Sequence, residues 1–316
     1  LRRALRNIRH NYHHPSNRNL RLPNNSRQQP NQDYRQQSRQ QTRQQTRQQT
    51  RRQLNQITRQ YNNEMLELDK WVLARLIKLS ESRNQAIKSF TFHHFYRELM
   101  EFCSNDLSAF YFDINKDILY CDSLDSIRRR SCQTILNILH DFLTSWLAPV
   151  LCFTMEEAWQ TYKTDNSFQS VHLKSSPTLS NDWVNTELID KWEVIRRIRK
   201  IANGVIEKAR AEKEIGSSLE TKVLMYIEDL EERKIIKSVN MNEISIVSEF
   251  KILDEKPLDG RLFQIFEGSN KEDKSIAIRV EKSQNKKCMR CWKFLPEVGK
   301  LENKELCGRC YQTILN

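Results

Sequence analysis

Apolar periodicity begins abruptly at residue 66. Leu66, Leu68, Trp71, Val72, Leu76 and Leu79 recur at three- and four-residue intervals, which predicts a helix over roughly 66–89. Phe92, Phe95, Tyr96, Leu99, Phe102 and Cys103 repeat the pattern and predict a second helix over roughly 92–112. Asp122 and Ser123 are candidate caps for a third, which carries Ile127, Ile135, Leu136, Leu139, Phe142, Leu143 and Trp146 until Pro149 interrupts or ends it. Thr154-x-x-Glu157 reads as a capping box opening a short helix with Ala158 and Trp159. A polar connection through Pro177 leads to a long helix over roughly 183–213, striped by Leu188, Trp192, Ile195, Ala202, Ile206 and Ala209. These stripes predict an antiparallel helical bundle with its aromatic residues in the core.

The period changes at 221. Val223, Met225 and Ile227 alternate, as do Ile244 and Ile246, and later Ile276, Ile278 and Val280, predicting short strands with a charged helix over roughly 228–239 between the first two. Four segments follow: a low-complexity leader over 1–63, a helical domain over 64–219, a small α+β segment over 220–284, and a cysteine module over 285–316. The expected class is mainly α.

The first 63 residues hold fourteen Arg, no Lys and one acid, Asp33, a net +13. The rest carries 38 basic against 39 acidic groups, so the chain's net +12 belongs to its first fifth and says nothing about the folded part. Arg35-Gln-Gln-Ser38 repeats as Arg39-Gln-Gln-Thr42, Arg43-Gln-Gln-Thr46 and Arg47-Gln-Gln-Thr50. With no apolar member, the repeat cannot build a core and is expected to be disordered. An RNA-binding arm, a transit peptide and an artefactual or frame-shifted leader all fit; the absence of Lys beside a Lys-rich remainder favours the last. His10, His13 and His14 lack the spacing of a metal site. The chain starts at Leu1, so a fragment is expected. No apolar run approaches the length needed to span a bilayer.

The candidate chemistry lies in the last 29 residues. Cys288-x-x-Cys291 and Cys307-Gly-Arg-Cys310 are separated by fifteen residues, a four-thiolate zinc spacing that leaves no open position for water. Zinc there is expected to be structural; two disulfides or four unrelated thiols are the alternatives. Gly308 is expected to supply a turn residue tolerant of positive φ. Cys103, Cys121, Cys132 and Cys152 are scattered among apolar neighbours, which fits reduced core thiols. Around the knuckles, Lys286, Lys287, Arg290, Lys293, Lys300, Lys304 and Arg309 face Glu297, Glu302 and Glu305, a local +4. Trp292 either offers a stacking face to single-stranded nucleic acid or covers the metal-site core. The acid-free run Arg196-Arg197-Ile198-Arg199-Lys200 is either a solvated or a phosphate-facing helix face.

Taken together, these residues resemble the C-terminal part of bacterial-type isoleucyl-tRNA synthetases. The blocks that carry the likeness are Glu67-Leu-Asp-Lys-Trp-Val-Leu-Ala-Arg-Leu76, Asp106-Leu-Ser-Ala-Phe-Tyr-Phe-Asp113, Lys116-Asp-Ile-Leu-Tyr-Cys121, Trp146-Leu-Ala-Pro149, Ile215-Gly-Ser-Ser-Leu-Glu220 and the two knuckles. The bundle alone is similar to those of related synthetases, and the knuckles alone resemble formamidopyrimidine-type DNA glycosylases. The resemblance covers about 64–316 and implies an anticodon-binding bundle with one structural Zn2+. The implied partner is tRNA(Ile), bound by a monomer in the cytoplasm or, alternatively, in mitochondria. ATP and Mg2+ would act only in a catalytic domain outside this sequence, since neither the family's signature motifs nor a Gly-rich phosphate loop occurs here. Candidate RNA contacts are Arg196, Arg197, Lys200 and Lys213 on the long helix, and Arg290, Trp292 and Lys293 on the zinc module. A stand-alone tRNA-binding factor, a non-functional remnant and a DNA-binding zinc protein are the other readings.

Overall fold

The computed structural model describes residues 65–162, 169–256 and 276–315. The chain divides into two units, Leu1–Leu66 and Glu67–Asn316. The leader, its repeats and its histidines lie outside the described residues.

The second unit opens with helix α1 (Glu67–Ser89). A continuous helical stretch follows, made of α2 (Phe92–Glu101), a π-helical run Phe102–Tyr111, and α3 (Phe112–Cys121). The second predicted helix therefore runs nine residues further than its periodicity suggested. Buried positions here include the rows Phe102, Asp106, Phe110 and Cys103, Leu107, Tyr111, spaced by four. An α-helix would rotate such a row off the core by about 40° per step. The i→i−5 coil has more residues per turn and rotates it back.

Helix α4 (Ile127–Leu147) starts later than expected. Its cap is Ser126, which accepts from the Arg129 amide, and not Asp122 or Ser123. It stops two residues before Pro149, as proline requires. Helix α5 (Cys152–Tyr162) begins two residues before Thr154, so the capping box does not form. Helix α6 (Thr186–Ala211) is capped by Asn185, whose side chain accepts from the Leu188 amide at 2.9 Å. Its predicted stripe is buried throughout.

The bundle core centres on three rings. Trp71 of α1 meets Phe110 edge-on at 5.4 Å and Trp192 of α6 at 6.1 Å; Phe110 lies 6.0 Å from Trp192. Such pairs each contribute roughly 0.5–1.5 kcal/mol beyond area burial. Beside them Asp69, fully buried, accepts from the hydroxyls of Tyr111 and Ser131. Burial and the neighbouring Asp69 push the Tyr111 phenol well above its ordinary pKa, so Tyr111 remains a donor.

Strand β1 (Thr221–Ile227) is central in a three-stranded sheet, parallel to β2 (Glu249–Leu253) and antiparallel to β3 (Ile276–Lys282). Val223, Met225 and Ile227 are fully buried, confirming the alternation. Between β1 and β2 lie α7 (Leu230–Lys237) and α8 (Met241–Ile244). The strand expected at Ile244 and Ile246 is instead the end of α8. Ile246 takes φ 56° in a Schellman closure, with its amide on Glu243 O and the Val247 amide on Asn242 O. Alternating isoleucines two apart satisfied both patterns, and the helix stop won. The last module contains β4 (Lys286–Lys287), β5 (Phe294–Leu295) and α9 (Gly308–Leu315).

Candidate metal centre and nucleic-acid interface

The cysteine module has almost no apolar core of its own. Cys288, Cys291, Cys307 and Cys310 are buried with Val298 and Leu306, and Leu295 and Tyr311 pack against them. The four sulfurs lie within 4.8 Å of one another. All eight cysteines are free thiols, which removes the disulfide alternative. The backbone is already arranged around sulfur: the Cys307 amide donates to Cys288 Sγ at 3.3 Å, and the Trp292 amide closes the first knuckle onto Cys288 O at 2.9 Å. Hydrogen bonding to Cys310, then burial, pushes the Cys291 thiol up to about 12; contact with Cys121 and burial push Cys310 up to about 12. Bare Cys291 and Cys310 therefore hold their protons, and a cation must displace them. Four soft donors in a closed cluster fit Zn2+. When bound, zinc crosslinks the two knuckles and leaves no position for substrate.

Gly308 does not need a left-handed backbone. It opens α9, and its amide donates to Glu297 Oε1 at 3.0 Å. The left-handed positions of the module are Trp292 (φ 64°) and Gly299 (φ 92°).

The predicted cations separate into two groups. Arg196 reaches Asp106 Oδ1 at 2.7 Å, and its guanidinium lies 5.3 Å from the Trp71 ring and 5.0 Å from Phe110. Asp106, 4% exposed, also takes Arg75 at 2.9 Å. Arg197 pairs with Glu232, and Arg199 with Asp113 at 3.2 Å and the Ile244 carbonyl at 2.6 Å. The acid-free run is thus neither a solvated nor an open phosphate-facing face over most of its length. Its counter-charges come from other elements. Arg290 donates to the carbonyls of Cys121 and Tyr120, at 2.5 and 3.0 Å, and Lys293 lies 3.2 Å from Asp117. Lys200, Lys213 and Trp292 are exposed.

Trp292 does not cover the metal-site core. It is 59% exposed, with Lys287 Nζ 4.9 Å from its ring centroid. Lys213 ends α6 at φ 61° in a Schellman closure, its amide on Arg210 O and the Glu214 amide on Ala209 O. Of the other cysteines, Cys103 and Cys132 are core thiols, Cys152 is exposed, and Cys121 belongs to the metal-site cluster. The sequence gives no sign of that last placement, because 167 positions separate Cys121 from Cys288.

A helical bundle joined to a four-thiol knuckle is the arrangement that the resemblance to the anticodon-binding part of a synthetase implies. The family model for the anticodon-binding domain of tRNA ligase matches residues 69–225, and that for the zinc finger found in FPG and IleRS matches residues 285–313. The chain therefore carries an anticodon-binding domain of the tRNA-ligase type and a zinc finger of the kind found in FPG and IleRS, and it is similar to part of the isoleucine-tRNA ligases. It is 38% identical over 248 residues to the isoleucine-tRNA ligase of Ruegeria pomeroyi, covering 78% of this chain and 25% of that protein. The ligase of Zymomonas mobilis is 38% identical over 256 residues, 79% of this chain and 25% of that protein. The ligase of Natranaerobius thermophilus is 38% identical over 250 residues, 78% of this chain and 26% of that protein. The chain therefore spans about a quarter of the length of these curated relatives. The anticodon-binding match does not favour the DNA-glycosylase reading. Among the described residues, no helix is long and apolar enough to cross a membrane.

Proposed function

We propose that this chain supplies the RNA-gripping part of an isoleucine-tRNA ligase, holding the anticodon stem-loop of tRNA(Ile). Isoleucine is joined to that tRNA with ATP and Mg2+ in a catalytic domain outside this sequence. The polypeptide acts as a monomer in the cytoplasm. The segments 64–219, 220–284 and 285–316 serve as bundle, connector and zinc module.

The observation that carries this reading is Trp292. An indole held in the left-handed region costs about 1–3 kcal/mol, and at 59% exposure it recovers little of that by packing. Presented beside Lys287 on a finger fixed by its metal, it offers a stacking face and a phosphate partner together. Phosphate contacts position an RNA, and unstacked loop bases identify it. We assign contact with RNA to Lys200, Lys213 and Trp292. Arg196, Arg197, Arg290 and Lys293 hold those elements in place through their internal partners.

Trp292→Ala is expected to weaken binding of the isoleucine anticodon stem-loop by about 1–3 kcal/mol without changing zinc content. In the same titration, Lys213→Gly should stabilise the fold by up to ~1 kcal/mol, because glycine suits a left-handed helix stop. It should also lower the salt slope of binding by about one. Unchanged affinity in the first variant removes Trp292 from the interface; an unchanged slope in the second removes Lys213.

A further inference from the structure

A fifth thiol lies against the metal centre. Cys121, the last residue of α3, is 6% exposed and buried in one cluster with the four finger cysteines. It is not among the four sulfurs that share the 4.8 Å cluster, and a tetrahedral ion has no place for it. The same helix end is tied to the finger by charge. Arg309, next to Cys310 in the chain, forks onto Asp117 with two 2.8 Å bonds and reaches Asp122 at 3.2 Å. Lys293 adds a contact to Asp117 at 3.2 Å, and Arg290 caps the carbonyls of Tyr120 and Cys121. Burial raises the Asp117 pKa, but the bonds from Arg309 and the charge of Lys293 outweigh it and hold the carboxyl at about 2.

We propose that the C-terminal end of α3 is a built part of the metal centre: Cys121 donates an S–H hydrogen bond to the Cys310 sulfur while Asp117 clamps the finger through Arg309 and Lys293. The bundle, not the finger alone, then sets how tightly the ion is kept. The direction assigned to this bond follows from the metal. A zinc-bound Cys310 is a thiolate with no proton to give, so Cys121 must be the donor. Four thiolates around a bound Zn2+ would leave two negative charges on sulfur, and a donor from Cys121, with the Arg290 and Arg309 guanidinium groups on the same helix end, would disperse that excess. Outer partners of this kind orient metal ligands and tune their basicity. The coupling has a functional consequence, since Trp292 lies directly after Cys291: a finger locked to α3 carries that indole at a fixed place relative to α6.

This inference rests on the four-thiolate zinc reading, and the experiment separates the two. The full chain, loaded with zinc, is mixed with excess 4-(2-pyridylazo)resorcinol, and zinc release is followed. The parent should hold one zinc per chain; less than that overturns the four-thiolate reading before any variant is compared. Cys121→Val, which fills the space without a donor, and Asp117→Asn should each release zinc roughly tenfold faster or more. Cys121→Ser, which keeps a donor, should stay near the parent rate. Cobalt substitution gives a readout that loosened packing would not move: the thiolate-to-metal charge-transfer band should shift in Cys121→Val and not in Cys121→Ser. If Cys121→Val does not fold, Cys121→Ala takes its place in both assays. Release at the parent rate from Asp117→Asn overturns the clamp, and an unshifted cobalt band in the donor-free variant overturns the S–H bond.

Discussion

Stripping zinc from the chain is expected to unfold residues 285–315 while the bundle stays helical. The module is too small to stand by its own burial: two strands of two residues, one helix of eight, and four cysteines among its few buried side chains. Modules below about 40 residues need such a crosslink. Apparent zinc binding energies of about 10–16 kcal/mol are, for such modules, their folding energies. The clamp on Asp117 contributes far less, since half-buried ion pairs of this kind rarely exceed a few kcal/mol. Hydrogen exchange reads the outcome directly. The amides of Cys288, Met289 and Trp292, bonded to Lys293 O, Glu305 O and Cys288 O, should lose protection on chelation. The buried stripe of α6 should keep it. Cys307→Ala should reproduce the metal-free pattern, and protection surviving chelation would mean the finger folds without its ion.

The second large effect is expected inside the bundle. Asp106 takes two arginines from different helices, Arg75 of α1 and Arg196 of α6. Asp106→Ala leaves both guanidinium groups without this partner, that of Arg196 beside the Trp71 and Phe110 rings, and should cost roughly 3 kcal/mol or more in a urea unfolding experiment. A loss below about 1 kcal/mol would show that solvent compensates both arginines. The pair also decides how the RNA surface is to be probed. Reversing the charge of Arg196 sets a carboxylate against Asp106, so lost RNA affinity would report a damaged bundle. Lys200, exposed at the end of the same run, is the position where charge reversal reads phosphate contact alone.

That contrast shows what the sequence carried and what it did not. Helical periods located α1, α4 and α6 because each buries one continuous stripe, and the spacing of Cys288, Cys291, Cys307 and Cys310 located the metal centre because tetrahedral sulfur demands two short loops. The fate of Arg196 was not legible. Its partner is ninety residues away, on a turn whose inward aim depends on a π-helical coil that no local propensity announces. Cys121 was hidden for the same reason, since only tertiary docking brings the end of α3 to the finger. At Ile244 and Ile246 the local signal was ambiguous, and the closure at the end of α8 decided it.

The most direct test is a ratio. Any attraction of RNA to the net +13 of the first 63 residues would be independent of sequence and would cancel when two stem-loops of equal charge are compared. Affinity for the isoleucine anticodon stem-loop, divided by affinity for the same stem with a scrambled loop, should therefore be measured on the zinc-loaded and the zinc-stripped full chain. A preference for the isoleucine loop of tenfold or more with zinc, falling toward unity without it, is the predicted result. Equal affinity for both loops in the zinc-loaded chain would contradict the assignment of this bundle and finger to anticodon recognition.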